Sequence, residues 1–244
     1  MTRPSTFTLN AGNSLSTGLL AAYFGNNAAS NGAVDSSPLA GSASGTFSWS
    51  SDATLGRKVM NFSGTNFATL ASLISVADYH AWSVTYWLYL TSVKSNIVGT
   101  FGHGFASGLY CRYLIVATNI HDFYNDPNQG TSWSSPVGNT TRYHVALVAN
   151  ASHNVALYIN GSLVATNAMG NSTALAIACF ANLGTSNTDY SLQGWMADFC
   201  VWNRALTTGA GSELAALANA SDPTIGGWVR TFNPACARNH SLAL

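Results

Sequence analysis

The sequence predicts an all-β chain folded as a two-sheet antiparallel sandwich, with one short helix late in the chain. Three observations carry that expectation. Residues 142–166, RYHVALVANASHNVALYINGSLVAT, parse as three short strands; the last two are joined by Asn160-Gly161, a dipeptide suited to the positive φ angles of a type I′ hairpin. Residues 82–90 alternate Trp82, Val84, Tyr86, Leu88 and Leu90 with Ser83, Thr85, Trp87 and Tyr89, the period of two expected of a strand. Helical patterning is confined to 213–220, ELAALANA, which stops before Asp222-Pro223 because the residue ahead of a proline is pushed out of the α region.

Taken in order, residues 1–16 form a polar leader or arm, and 17–220 a single domain. Residues 18–24, GLLAAYF, read as a strand, followed by a long loop over 25–45 rich in Asn, Ser, Ala and Gly. Short strands at 46–51 and 58–62 flank a turn at 51–56, and 67–74 is a further strand or an irregular edge. After 82–90 come strands at 97–101 and 109–118 around a glycine-rich turn at 102–108. A long loop over 121–139 carries Asp122, Asp126, Pro127, Trp133 and Pro136. The last strands are 175–183 and 194–202, and 221–244 is a C-terminal arm.

The register of the central hairpins follows from the pattern. Pairing Ala149 with Val155 sets Leu147 opposite Leu157 and Val145 opposite Ile159, and the tight turn then sets Leu157 opposite Val164. One face carries Val145, Leu147, Ala149, Val155, Leu157, Ile159 and Val164. The other, with Ala146, Val148, Ala156, Tyr158 and Leu163, is also apolar, so this sheet is predicted to be covered on both sides.

Composition bounds the function. A chain of 244 residues with 47% hydrophobic content can bury a sizeable core. Charged residues make up only 7% of it, against about 25% in an ordinary domain. Nine acidic residues balance nine basic ones, and no basic stripe exists to neutralise nucleic-acid phosphates. So neutral a surface repels its neighbours weakly and favours close association with other protein. No apolar run approaches a membrane span, so no membrane insertion is expected. Residues 1–10 do not read as a signal peptide, since Arg3-Pro4 leads into polar residues, which predicts synthesis in a cytoplasm. Cys111, Cys179, Cys200 and Cys236 lack CxxC spacing and are expected to be reduced and mostly buried. The tail is expected to dock on this domain or on a neighbouring subunit, the bland surface favouring the neighbour.

Four stretches together resemble the laminin-G-like, concanavalin A-like superfamily. Residues 18–24 are similar to its opening strand, 81–88 (AWSVTYWL) to its "F-T-v-s-x-W-v" strand, and 143–165 to its "W-x-h-v-A-l-v…l-Y-i-N-G-x-l-v" hairpins. Residues 194–207, GWMADFCVWNRALT, are similar to "G-x-i-d-d-v-r-i-w-n-R-A-L-s", the most specific of the four, with Glu213-Leu214-Ala215-Ala216-Leu217 following as the family's "E-I-x-x-L". The resemblance implies a concanavalin A-like jelly-roll sandwich. It leaves function to be argued from sites, because the superfamily includes lectins, adhesion modules, glycanases and virion proteins. The leader running into SLSTGLLAAY resembles domains among bacteriophage structural proteins.

Candidate chemistry is sparse. Glycoside hydrolysis needs two carboxyls flanking the scissile bond. The family's glycanases carry an E-x-D-x-E-type strand that is missing here, and the only glutamate, Glu213, belongs to the helix, with a solubility or first-turn dipole role expected. No G-x-S-x-G elbow, P-loop or dinucleotide fingerprint occurs. Oxygen ligands for Ca²⁺ are available at Asp122, Asp126 and Asp189; the alternative is that Asp126 starts a turn and Asp189 caps a loop. Tyr110, Tyr113, Tyr124, Trp133 and Tyr190 lie near loops as aromatic platforms for a sugar or as core anchors. Asp198 is expected to pair with Arg204 or to satisfy loop amides, His144 to pack on the second sheet face, and His103 to serve a turn.

The expected function is that of a non-enzymatic structural or binding module. Its setting is a phage virion surface, as a capsid decoration or fibre-associated subunit contacting other virion proteins or copies of itself, with surface glycans as further ligands. The alternative is a free lectin-like carbohydrate-binding module, with or without calcium.

Overall fold

The computed structural model describes residues 7–9, 12–29, 32–35, 42–55, 57–92, 97–103, 112–116, 120–126, 129–135, 137–170, 173–183, 190–219 and 229–231. The strands are β1 (Phe7–Leu9), β2 (Leu19–Ala29), β3 (Gly32–Asp35), β4 (Ser42–Gly45), β5 (Ser48–Asp52), β6 (Arg57–Ser63), β7 (Ala68–Val76), β8 (Trp82–Ser92) and β9 (Ile97–Gly102). They continue as β10 (Arg112–Val116), β11 (Ile120–Asp126), β12 (Gln129–Ser134), β13 (Arg142–Ala149), β14 (Asn154–Ile159), β15 (Ser162–Ala168), β16 (Leu175–Phe180), β17 (Gln193–Trp202) and β18 (Val229–Thr231). Helix α1 spans Glu213–Asn219.

One antiparallel path runs β12-β11-β10-β9-β16-β7-β4-β3-β2-β17-β8-β13-β14-β15, with the β5–β6 hairpin attached to β17. The strands of this path form two layers. Its two ends meet again where Asn167 Nδ2 of β15 donates to the Ser132 carbonyl of β12 at 2.7 Å. Between the layers lies a single core. Val84, Tyr86, Val145, Leu147, Leu157 and Phe199 meet Phe101, Tyr113, Phe123, Ile177 and Phe180 there, all fully buried. Each such aliphatic side chain contributes about 1.5–3 kcal/mol. Trp82 packs at a tilt against Phe123 with ring centroids 5.4 Å apart, and its indole N–H donates to the Thr173 carbonyl at 2.6 Å.

The predicted pairs Val145↔Ile159, Leu147↔Leu157 and Ala149↔Val155 all form. Asn160 and Gly161 take φ of 51° and 78°, as the tight turn requires. Leu157 faces Ala165 rather than Val164, a correction of one residue: a bulge between Leu157 and Tyr158 leaves Val164 as the extra residue, and both Val164 and Ala165 pack on the core. β17 is the hub. It pairs β6 over Gln193–Met196 and β2 over Phe199–Trp202, switching neighbours at Asp198, whose φ of 49° kinks the strand. Gly194 is obligatory there, since a Cβ would stand 1.9 Å from the Tyr89 carbonyl oxygen.

Two expected loops are strands. In 25–45, β2 runs on to Ala29 and is followed by β3 and β4, with Ala28↔Ala33 and Ala33↔Ala43 in register. Small polar residues carry no hydrophobic alternation, so backbone pairing to neighbours decides. In 121–139, β11 and β12 form a hairpin. Its inward residues are His121, Phe123 and Trp133, a pattern masked in sequence because the buried set includes a histidine. Within the chain, Phe7–Leu9 of the leader pairs antiparallel with Val229–Thr231 of the tail. Cys179 and Cys200 are buried and unbridged; Cys111 and Cys236 lie outside the described residues.

Candidate binding face and loop rim

The two layers differ on their outer sides. Outside β17–β8–β13–β14, three segments form a lid. Leu214 of α1 packs on Ala146, Val148, Ala156 and Tyr158. Leu15 of the leader and Leu217 pack with Phe24, Cys200, Trp202 and Leu206, and the Trp202 indole donates to the Leu15 carbonyl at 2.8 Å. Leu55 and Val59 of the β5–β6 hairpin pack on Trp195 and Ala197. His144 is buried here against Trp87, with ring centroids 5.3 Å apart.

Charge fastens this lid. Arg204 donates to both carboxylate oxygens of Glu213 at 2.8 and 2.7 Å, and also to the carbonyls of Ser14 and Thr17. The Arg204 guanidinium holds the Glu213 carboxyl down at about 2. Arg204 is thus bound to Glu213, which α1 delivers beside it. Asp52 closes the hairpin, accepting from the amides of Thr54 and Leu55 and from Arg142 at 3.0 Å.

Outside β11–β12 the described side chains are mostly polar, with Asp122 and Tyr124 half exposed and Ile120, Ser132 and Ser134 exposed. Cross-strand register forms two rows: Gly99–Leu114–Asp122–Ser132 and Gly102–Arg112–Tyr124–Gly130. Tyr124 lies across Gly130, where a Cβ would meet its ring carbons at 2.4 and 2.6 Å. The glycine is thus the space the ring occupies, as in aromatic shielding of a strand glycine. Asp122 Oδ1 is buried with no hydrogen-bond partner among the described residues, an arrangement costly to keep without a further partner. One wall of the face is the chain after β16: a Cβ on Gly99 would stand 2.6 Å from the Leu183 amide nitrogen, and the Gly99 amide donates to the Tyr190 carbonyl at 2.7 Å.

The structure thus brings Asp122 and Tyr124 onto one face and Tyr190 to its rim. Trp133, expected as a possible platform, is 3% exposed in the core, because β12 alternation turns it inward opposite His121. Tyr110 and Asp189 lie outside the described residues, as does the side chain of Asp126. Among the described residues no group of three or more His, Cys, Asp or Glu stands together as a metal cage. Beneath the face, the Tyr113 hydroxyl pairs with His121 Nδ1 at 2.5 Å, and His121 Nε2 stands 3.1 Å from the Ser135 carbonyl. A carbonyl only accepts, so Nε2 carries the proton and Tyr113 donates to Nδ1. Burial drives His121 down to about 4 and the Tyr113 hydroxyl well up, with Tyr86 and Asp122 adding to the latter.

Sequence reasoning passed over a cluster at the loop rim. Tyr79, between β7 and β8, is 67% exposed at φ 60°, and its ring lies 4.3 Å from that of His153. His153 Nε2 stands 3.1 Å from Asp78 Oδ1, off the geometry of a hydrogen bond, and Asp78 Oδ1 accepts from the Thr173 amide at 2.8 Å. The available signal was Asp-Tyr-His in a loop, a rigid aromatic between two polar groups.

Comparison with known proteins agrees with this architecture. The model of the concanavalin A-like lectin/glucanases superfamily, in its laminin-G-like form, matches residues 62–210. Domain 4 of AbnA, a GH43 extracellular arabinanase from Geobacillus stearothermophilus solved with arabinotriose, is similar with a TM-score of 0.61 and 17% identity, over 82% of this chain and 98% of that one. The binding domain of Paraclostridial Mosquitocidal Protein 1 gives a TM-score of 0.60 at 12% identity, over 84% of this chain and 53% of that one. A botulinum neurotoxin type C structure, whose cell entry depends on two ganglioside molecules, gives 0.59 at 14%, over 85% and 52%. The chain spans about half the length of those toxin chains. No curated protein sequence matches it. With the family's model covering more than half of its length and the sandwich formed as described, the chain belongs to the concanavalin A-like lectin/glucanase superfamily.

Proposed function

We propose that this chain is a non-enzymatic module that binds surface glycans on the outer face of β10–β12. The observation that carries this reading is the Tyr124 ring held against Gly130 next to the unpartnered, buried oxygen of Asp122. Residues two apart on one strand face stand about 7 Å from each other. That is the span of one sugar ring, with the aromatic face taking its C–H side and the carboxylate its hydroxyls. The arabinotriose and ganglioside ligands of structurally similar domains support a carbohydrate. A binding role rather than hydrolysis is supported by Glu213, whose carboxylate is held by Arg204 within the lid on the opposite sheet.

The proposed setting is a virion surface, as a bacteriophage capsid decoration or fibre-associated subunit contacting other virion proteins or copies of itself. Its support is the low-charge surface and the phage-like leader motif. Two experiments test the whole. A glycan array probed with and without calcium is expected to give discrete hits that D122A and Y124A lose; a blank array overturns the glycan reading. Native mass spectrometry of the assembly is expected to find a large symmetric particle; a free monomer overturns the virion setting and leaves a free lectin-like module.

A further inference from the structure

We propose that Tyr79, with Asp78 and His153, forms a second ligand site at the loop rim, built for a neutral hexopyranoside and separate from the β10–β12 face. Tyr79 and that face are set apart by strand order, β7 being followed by β16 and β9 before β10. A bulky residue at φ 60° is strained, and such strain persists where the surroundings impose it and where function uses it. Burial is no compensation here, since the ring is 67% exposed.

The ring is supported on one side. His153 supports one side at 4.3 Å and is itself set by a φ of 58° and by its carbonyl, which accepts from the Met169 amide at 2.7 Å. Asp78 is anchored by the Thr173 amide, and its carbonyl meets His80 Nδ1 at 2.9 Å. The result is a supported aromatic platform edged by a carboxylate and an exposed imidazole. A pyranose meets those demands: its C–H face lies on the negative face of the ring, and its hydroxyls donate to Asp78. Acidic sugars are disfavoured by the carboxylate.

The test is amide-resolved NMR of the full chain titrated with methyl glycosides of glucose, galactose and mannose. Shifts are expected at 78–80 and 153. Glycine adopts φ 60° freely, so Tyr79→Gly keeps the fold while removing the platform. It should weaken binding at least about tenfold, whereas Tyr79→Phe stays within about threefold of wild type. Asp122→Asn should leave these shifts intact, so that loss of the open-face reading and loss of this one are read separately. Unchanged affinity in Tyr79→Gly, no shifts at these residues with any of the three glycosides, or a response to tetramethylammonium in place of sugars would each overturn the proposal.

Discussion

The two layers share one core yet treat their outer faces in opposite ways. On β13 and β14 the outward residues Ala146, Val148, Ala156 and Tyr158 are apolar and lie beneath α1. On β11 and β12 the outward residues Ile120, Asp122, Tyr124, Gly130, Ser132 and Ser134 are mostly polar, and Ile120 and the last three are exposed. The alternation on the second hairpin separates interior from exterior, whereas the first is apolar throughout and therefore demands a lid. An outer face left polar while its partner is sealed is the surface free to meet a ligand.

The largest effect should come from opening the lid. Leu214→Ala removes the helix residue seated on four apolar side chains and should cost about 2–4 kcal/mol in urea unfolding, while Ile120→Ala on the open face should stay within about 0.5 kcal/mol. Equal costs would break the contrast.

Acid should act next, beneath the open face. His121 sits at about 4 in the fold against 6.5 when unfolded, so the unfolded chain binds the extra proton. Its contribution is whole above pH 6.5 and is lost as pH falls toward 4, by about 3 kcal/mol at the full shift. Urea midpoints of wild type and His121→Phe between pH 7 and 4.5 should therefore converge on the acid side.

On the sealed side the sign concerns a carboxylate. Glu213 is depressed to about 2, so its contribution is present above the ordinary carboxylate range and fades only as pH drops toward 2. Glu213→Gln should cost about 1.5–3 kcal/mol at pH 7 and lose that penalty near pH 2, read by thermal unfolding across the range.

The smallest stability effect belongs to the site itself. Asp122→Ala removes a buried oxygen that has no partner among the described residues, so stability should hold or rise by up to about 1 kcal/mol while glycan binding disappears.

Legibility followed the same divide. The 143–159 register and the Asn160-Gly161 turn were readable because a one-residue slip would move a whole apolar row to the wrong face. The Val164 offset was not, since a bulge costs the pattern only one residue. β3 and β4 were hidden by small polar side chains that pair through backbone alone. In the site, Asp122 and Tyr124 stood out as residue types, but Trp133 belonged inside, a matter of strand parity that a mistaken loop assignment concealed. Tyr79 stayed invisible because its significance rests on φ and on a histidine from another hairpin, neither of which sequence spacing records.

The most direct test of the open face is amide chemical-shift mapping with a glycan taken from the array. Shifts are expected along the Leu114–Asp122–Ser132 and Arg112–Tyr124–Gly130 rows, with α1 and β13–β15 silent. Shifts concentrated on α1 and the lid, with β10–β12 unmoved, would contradict that reading.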